Sequence, residues 1–359
     1  MRDIERCRTP ALGGHLYRCT TCAAEVVLYN SCLNRHCPSC QGPAQHRWIE
    51  ERRRRLLNTH CFHLVFTLPA LLRPLALIHR RVIFDLLFAA AADTLLTLGR
   101  DPKRLGAELG FTLVLHTWTR DLRFHPHLHG IVPGGGLDVA GDRWRPARQN
   151  FLFPVAVLSK LFRGKFLARL ALAHGQGEFP RVDEKSFRRL VSQLRAKKWI
   201  TYAKRPFGGP VQVVNYLGRY THRVGLSNSR LVAVGENAVT FRTKNGATAT
   251  LMPETFLGRF LLHVLPPRFV KIRHYGLLAP ANIHTRLRRA QQLLGPVPEP
   301  TRAPLRANPD DQPDHDDTQA SPPAFAPPCP YCGARTLRIL GQHGRHGYRP
   351  RLTRPPPDT

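Results

Sequence analysis

The stretch His-Pro-His-Leu-His-Gly-Ile-Val at residues 125–132, followed by Pro-Gly-Gly-Gly at 133–136, is the most informative part of this chain for its fold. Histidines alternate with other residues at a strict two-residue period, which is typical of a β-strand, and the glycines predict the turn that ends it. Residues on alternate positions of a strand share one face, so His125, His127 and His129 are predicted to project together. Phe111–Trp118 is predicted to be a neighbouring strand.

The segments on either side alternate between the periods of strands and helices. Strands are predicted at 62–68 and 199–203 and a hairpin at 231–251. Helices are predicted at 71–98, 154–173, 184–197, 211–221 and 253–264, the last beginning at a proline. The order lacks the long βαβ regularity of a doubly wound fold. We therefore predict an α+β fold with a central, largely antiparallel sheet flanked by helices.

Composition divides the chain into three predicted regions. Residues 1–57 hold six of the nine cysteines and are predicted to be a small zinc-binding domain for DNA recognition, and 58–294 form the main α/β domain. Residues 295–359 are rich in proline with an acidic patch, and are predicted to be a disordered tail. Residues 82–98 are apolar but contain Asp85 and Asp93, so they predict a buried helix and not a membrane span.

The charge of the chain points to a polyanionic partner. Lys and Arg number 54 against 24 Asp and Glu, a formal net charge of +30. Arginine dominates this excess, and its planar guanidinium suits phosphate groups better than lysine does. Nucleic acid is the predicted partner. Because the N-terminus has no apolar segment of the signal-peptide kind, a soluble cytoplasmic protein is expected.

Two Cys-x-x-Cys pairs in the N-terminal region predict a zinc site. Cys19 and Cys22 are separated from Cys37 and Cys40 by fourteen residues, a spacing that suits four thiolates around one zinc ion. Cys7 and Cys32 are left for packing or a second site. Arg35 and Arg47 lie in the same region and are candidates to contact DNA. A second zinc site is conceivable near the C-terminus, from the following residues: Cys329, Cys332, His343 and His346.

The histidine strand suggests a divalent-cation site. Neutral imidazoles of His127 and His129 can hold an ion that polarises a phosphate. Two ligands rarely suffice, so a third must come from elsewhere. His116, Asp121 and His125 are all candidates, and the sequence does not choose among them.

A second motif, Tyr-Leu-Gly-Arg-Tyr at 216–220, places two phenols one helical turn apart. Tyr216 and Tyr220 therefore share one face of the predicted helix. A tyrosine can act as a nucleophile if its pKa of about 10 is lowered, which a nearby metal ion, Arg219 or Arg223 could do. These two arginines are also candidates for contacts with DNA.

At this point the residues resemble a known family, the two-tyrosine HUH rolling-circle transposases of bacterial insertion sequences, of the IS91-like kind. The resemblance covers about residues 7–280. It rests on several motifs that occur in the family's order, at residues 30–41, 114–118, 125–129, 133–136, 216–223, 259–266 and 272–276.

The resemblance implies a set of roles. His127 and His129 would bind Mg²⁺ or Mn²⁺, and Tyr216 and Tyr220 would attack successive DNA phosphates, leaving 5′-phosphotyrosine links and a free 3′-OH. The zinc domain would help to recognise the ends of the element, and the DNA is expected to be single-stranded. One position departs from the family pattern, since Arg120 stands where a glutamine is common. Such a copy could lack activity unless Asp121 substitutes as a ligand.

Two other functions fit part of this pattern. A plasmid-type replication initiator or relaxase would use the same histidines and tyrosines, although the zinc domain favours the transposase. A DNA-binding protein without catalytic activity would explain the charge and the cysteines and leave the tyrosine and histidine motifs unexplained.

Overall fold

A computed structural model describes residues 2–40, 48–204, 225–226, 230–298, 328–344 and 347–350, without the side chains of Pro38 and of 343–350. The chain forms two compact units. We call them the terminal unit, made of Met1–Arg47, His222–Ser229 and Asn308–Thr359, and the central unit, made of Trp48–Thr221 and Arg230–Ala307. The chain enters the central unit at Trp48 and not at 58 as predicted. Residues 48–57 belong there because Trp48 packs on Cys61 and Leu57 packs on Leu137.

The central unit is built on a five-stranded antiparallel sheet of order β12-β4-β5-β3-β8, which confirms the predicted fold class. Its strands are β3 (Cys61–Thr67), β4 (Gly110–Trp118), β5 (Phe124–Pro133), β8 (Thr201–Lys204) and β12 (Ile272–Gly276). The predicted strands at 62–68, 111–118, 127–132 and 199–203 all lie in it. The histidine-rich strand β5 is central, because β3 and β4 pair with its two edges.

The two faces of this sheet differ in character. Phe62, Leu64 and Phe66 of β3 and Leu128 of β5 are buried in the main hydrophobic core. The histidines of β5 alternate with Leu128 and therefore occupy the opposite face. Register places His127 opposite Thr67 on one side and His116 on the other, so His116 also lies on this face.

Helices cover the apolar face. The helices of the central unit are α2 at residues 48–53, α3 (Arg73–Ile78), α4 (Arg80–Arg100), α5 (Val155–Gly175), α6 (Glu184–Ala196), α7 (Pro253–Leu261) and α8 (Arg286–Leu294). Helices α4 and α5 supply Phe84, Phe88, Phe162 and Phe166 to the core beside the sheet. The helix α4 is long and apolar enough to cross a membrane, but 61% of its most apolar stretch is buried. It is a core helix, as the interrupting aspartates predict.

Two smaller sheets complete the central unit. One pairs β6 (Gly135–Leu137) with β7 (Trp144–Pro146). The other joins β9 (Leu231–Val234), β10 (Val239–Arg242) and β11 (Thr248–Leu251). Residues 231–251 thus form three antiparallel strands where a hairpin was predicted, because a second turn, with Asn245 at φ 57°, reverses the chain again after β10.

The terminal unit begins with the short helix α1 (Arg2–Glu5) and contains a four-stranded sheet of order β14-β13-β1-β2. Its strands are β1 (Gly14–Cys19), β2 (Glu25–Tyr29), β13 (Leu337–Gly344) and β14 (Gly347–Pro350). Strand β13 lies antiparallel to β1, with Gly14 opposite His343 and Cys19 opposite Leu337. The prediction of a disordered tail is therefore wrong at β13 and β14, because backbone pairing makes these strands part of the sheet.

Candidate functional site

Three histidines meet on the face of the central sheet opposite the one that packs into the main hydrophobic core. His127 and His129 come from β5 and His116 from β4, and one ring nitrogen of each lies within 4.8 Å of those of the other two. The ring centroid of His116 is 5.5 Å from that of His127 and 4.3 Å from that of His129. Antiparallel register brings the three together, since His116 is directly opposite His127. We call these residues the histidine cluster.

Hydrogen bonds orient the rings of the cluster. His127 Nδ1 is 2.7 Å from the carbonyl oxygen of His125, and only a protonated nitrogen can donate to a carbonyl. His127 Nε2 therefore carries the lone pair, and it lies 3.1 Å from His129 Nε2. This tautomer leaves the lone pair of His127 directed into the cluster.

His63 of β3 is a residue that the sequence analysis missed. Its Nε2 lies 2.8 Å from His129 Nδ1, and the two rings stack with centroids 5.0 Å apart and planes 6° from parallel. If His129 presents the lone pair of Nε2 to a metal ion, its Nδ1 donates to His63, which fixes the ring as such outer partners usually do. The sequence signal that could have identified His63 is its position as one polar residue within the apolar run Phe-His-Leu-Val-Phe at 62–66.

Burial keeps the two β5 histidines of the cluster neutral. Burial lowers the pKa of His127 to about 4 and that of His129 well below the ordinary value. Burial, followed by the charges of Arg73 and Arg123, also lowers the pKa of His125. Neutral imidazole is the form that binds metal ions, so His127 and His129 are in the ligand form near neutral pH.

The geometry fits a divalent cation. Two ligands at right angles and ~2.1 Å from one ion are about 3.0 Å apart, close to the 3.1 Å between the Nε2 atoms of His127 and His129. Imidazole nitrogen is softer than the oxygen ligands that Mg²⁺ prefers. Among the two ions implied by the resemblance, Mn²⁺ is therefore the better match to this donor set.

Of the open candidates for a third ligand, His116 lies in the cluster and Asp121 does not. The Asp121 carboxylate accepts a hydrogen bond from the Thr119 hydroxyl and forms an ion pair with Arg123 at 2.6 Å. Burial raises the pKa of this carboxyl group, but the contacts with Thr119 and Arg123 outweigh burial and leave the pKa below its ordinary value. His125 uses its carbonyl oxygen to orient His127, and its own ring lies near Arg73, with 3.4 Å between Nδ1 and the guanidinium Nη2.

The cysteines of the terminal unit form two clusters of four. One contains Cys7, Cys32, Cys37 and Cys40, and the other contains Cys19, Cys22, Cys329 and Cys332. The predicted single site of Cys19, Cys22, Cys37 and Cys40 is thus wrong in its grouping, because each Cys-x-x-Cys pair meets a different set of partners. The two cysteines that the prediction left over, Cys7 and Cys32, complete the first cluster.

The C-terminal prediction also needs correction. Cys329 and Cys332 lie beside Cys22 and Cys19, with Sγ–Sγ distances of 3.7 and 3.6 Å, so their set of four thiols is complete without a histidine. His343 is in β13 with its side chain undescribed, and His346 lies outside the described residues.

The predicted nucleophiles lie outside the described residues, as do three of the four predicted DNA contacts. These residues are Tyr216, Tyr220, Arg47, Arg219 and Arg223. The remaining arginine, Arg35, is half-buried in the terminal unit, and burial lowers its pKa.

Comparison with known proteins agrees with the resemblance seen in the sequence. A family described as "Putative transposase" matches residues 110–286, which include β4 and β5. A second family, described as an IS91 "Transposase zinc-binding domain", matches residues 1–68. No solved structure matches the chain significantly.

Two relatives extend this match over most of the chain. The "Putative transposase y4qJ" of Sinorhizobium fredii is 45% identical over 320 residues, covering 85% of this chain and 80% of the relative. The "Transposase for insertion sequence element IS801" of Pseudomonas savastanoi pv. phaseolicola is 32% identical over 303 residues, covering 78% of this chain and 71% of the relative. With its zinc-binding domain and its transposase domain, this chain belongs to the IS91 family of insertion-sequence transposases.

Proposed function

We propose that this transposase cuts and joins single-stranded DNA at an HUH-type site and moves its element by rolling-circle transposition. The observation that carries the proposal is the histidine cluster, in which three imidazoles from β4 and β5 converge on one point and burial keeps the two from β5 neutral. His116, His127 and His129 would hold Mn²⁺ or Mg²⁺. A bound ion would supply Lewis-acid polarisation of the scissile phosphate.

The residues around the cluster would keep it rigid. The carbonyl of His125 holds the ring of His127, and His63 holds the ring of His129. Strands β3, β4 and β5 are hydrogen-bonded neighbours, so the three ligands and His63 are fixed by one sheet and not by a loop. A site on such a support keeps its geometry when DNA binds, which lowers the cost of organising it for reaction.

Tyr216 and Tyr220 are the proposed nucleophiles. The phenolate oxygen of one tyrosine attacks the phosphorus of a phosphodiester, forming a tyrosine O–P bond while the bond between phosphorus and the 3′ oxygen breaks. The leaving 3′ oxygen takes up a proton, and the 5′ end stays linked to the protein. The reverse reaction, attack by a 3′-OH on the phosphotyrosine, rejoins the strand, because the linkage conserves the energy of the phosphodiester. A second tyrosine lets the protein hold one end while it cuts another.

The arginine at position 120 is compatible with activity. The resemblance placed a candidate ligand at this position, where Arg120 cannot bind a cation. His116 provides a third nitrogen from the strand β4, so the donor set does not depend on residue 120 or on Asp121. We therefore favour an active enzyme over a DNA-binding protein that has lost its chemistry.

The basic character of the chain supports DNA as the substrate. A net charge of +30 favours a polyanion, and an accessible backbone is needed for attack on a phosphate. We propose single-stranded element ends as the substrate and assign their recognition in part to the terminal unit and its zinc-bound cysteines, with Arg35 and Arg47 as contacts. The protein would act on DNA of the bacterial nucleoid in the cytoplasm.

The test is covalent capture of DNA. Purified protein is incubated with labelled single-stranded DNA from the ends of its own element, in Mn²⁺ or in EDTA, and adducts are separated under denaturing conditions. We expect an adduct that needs Mn²⁺ and is lost in the double variant Tyr216→Phe/Tyr220→Phe. Binding of DNA without any adduct, by protein that is folded and loaded with zinc, would contradict the proposal.

A matched control uses a different phenol. Tyr202 of β8 is 54% exposed and is not one of the proposed nucleophiles. The variant Tyr202→Phe should keep the adduct, and its loss there would mean that the nucleophile is wrongly assigned. The variant His129→Ala should lose the adduct while retaining DNA binding.

A further inference from the structure

The cysteine cluster that joins the two ends of the chain carries an inference that does not depend on the catalytic proposal. We propose that Cys19, Cys22, Cys329 and Cys332 bind a second Zn²⁺, and that this ion fastens the C-terminal strands to the N-terminal sheet. The first zinc ion would lie with Cys7, Cys32, Cys37 and Cys40, within the region that the zinc-binding family matches. Cys329 and Cys332 lie outside that region.

The two halves of the proposed site have the same backbone conformation. In each half a Cys-x-x-Cys pair is followed by a residue with positive φ, which is 56° at Ala23 and 73° at Gly333. In each half the amide of the first cysteine donates to the carbonyl five residues on. The N–O distances are 2.9 Å from Cys19 to Ala24 and 2.8 Å from Cys329 to Ala334. Two such turns facing each other are the arrangement of Cys₄ zinc sites.

The sulfur atoms are spaced for a metal ion. In a tetrahedron with Zn–S bonds of about 2.3 Å the sulfurs are ~3.8 Å apart. The Sγ atoms are 3.6 Å apart for Cys19 and Cys332 and 3.7 Å apart for Cys22 and Cys329. A disulfide would bring two sulfurs to about 2.05 Å. In each turn the first cysteine is buried and the second exposed, so zinc could enter from one open side.

The surroundings of the site couple it to the sheet. Strand β13 begins five residues after Cys332 and pairs with β1, which ends at Cys19. The amide of Thr20 donates to the carbonyl of Thr336 at 3.1 Å, and the hydroxyls of Thr21 and Thr336 are 2.8 Å apart. The strands therefore meet at the point where the metal would sit.

The core beneath these strands is small. It consists of Cys19, Cys329 and Leu337, with Tyr17, Val26, Leu28 and Ala334 packed against them. A core of this size seldom stabilises a folded unit by itself, and small units of this kind are usually stabilised by a structural metal ion. We infer that pairing of β13 with β1 needs zinc. A chain that stops before Cys329 would therefore lack this zinc site.

Zinc content tests the inference directly. The wild-type chain should contain two equivalents of zinc, measured by elemental analysis after extensive dialysis. The double variant Cys329→Ser/Cys332→Ser should contain one. The matched control Cys61→Ser removes the ninth cysteine, which is buried in the central unit, and should retain two. Wild-type protein with one equivalent, or a C-terminal variant that keeps the wild-type content, would overturn the proposal.

A second variant separates this arrangement from a single site made of Cys19, Cys22, Cys37 and Cys40. Under our proposal the double variant Cys7→Ser/Cys32→Ser also loses one equivalent of zinc. The single site would instead keep its zinc both in this variant and in Cys329→Ser/Cys332→Ser.

Hydrogen exchange on the wild-type chain keeps the test valid if a variant fails to fold. Both zinc ions should be removed stepwise with a chelator while amide protection is followed in β1 and β13. We expect amides of both strands to lose protection together as one equivalent is released. Retained protection of β13 after both ions have been removed would overturn the proposed link.

Discussion

A buried histidine that follows α7 allows a quantitative prediction. His263 follows α7 and is 1% exposed. Its Nε2 donates to the carbonyl of Leu122 at 3.1 Å, and its Nδ1 lies 3.3 Å from the hydroxyl of Thr117. It thereby holds the turn between β4 and β5, where Leu122 has a φ of 61°. Burial, helped by the charge of Arg80, lowers the pKa of His263 from 6.5 to about 4.

The sign of the effect follows from these two values. The unfolded chain binds a proton at His263 with a pKa of 6.5 and the folded chain only near pH 4, so acid favours the unfolded state. The free energy of unfolding should therefore fall as the pH drops below the unfolded pKa. Between about pH 7.5 and about pH 5.5 this one side chain should lower the free energy of unfolding by about 1 kcal/mol. The loss would level off below the folded pKa.

The assay compares wild type with His263→Gln, which can still donate to Leu122 but does not titrate. Urea unfolding of the zinc-loaded protein at both pH values gives the loss of unfolding free energy for wild type and for the variant. Groups other than residue 263 contribute equally to both losses, so they cancel in the difference. The wild type should lose about 1 kcal/mol more than the variant. The exposed histidine in His284→Gln serves as the control. An equal loss in wild type and His263→Gln would refute the reasoning.

Four further substitutions have defined expectations. His63→Ala should weaken Mn²⁺ binding by about 10- to 100-fold in calorimetry, because His129 loses its partner; unchanged affinity would contradict that role. Gly276→Ala should destabilise by at least ~2 kcal/mol in urea unfolding, since φ is +56° and the new Cβ would lie 1.8 Å from the Leu109 oxygen. Gly258→Ala, in open space on α7, should be neutral or stabilising by up to ~1 kcal/mol. Phe66→Ala should cost about 3–5 kcal/mol by the same assay, and a loss below ~1 kcal/mol would show that the sheet does not pack on α5 as described.

Local patterns in the sequence determined the elements and one face of the site. The two-residue alternation around His127 and His129 predicted β5 and placed its histidines together, because side chains on a strand alternate whatever the strand pairs with. The apolar segment broken by Asp85 and Asp93 predicted a buried helix, and α4 is buried. The spacing of each Cys-x-x-Cys pair likewise predicted a turn with two metal ligands.

Only the tertiary structure decided which of these pieces meet. The register of β4 and β3 against β5 brought in His116 as the third member of the histidine cluster and His63 as the partner of His129. Strand pairing between the ends of the chain gave Cys19 and Cys22 their partners across more than three hundred residues. Spacing along the sequence fixes geometry over a few residues, whereas contacts between distant segments depend on register and on closure of the whole sheet.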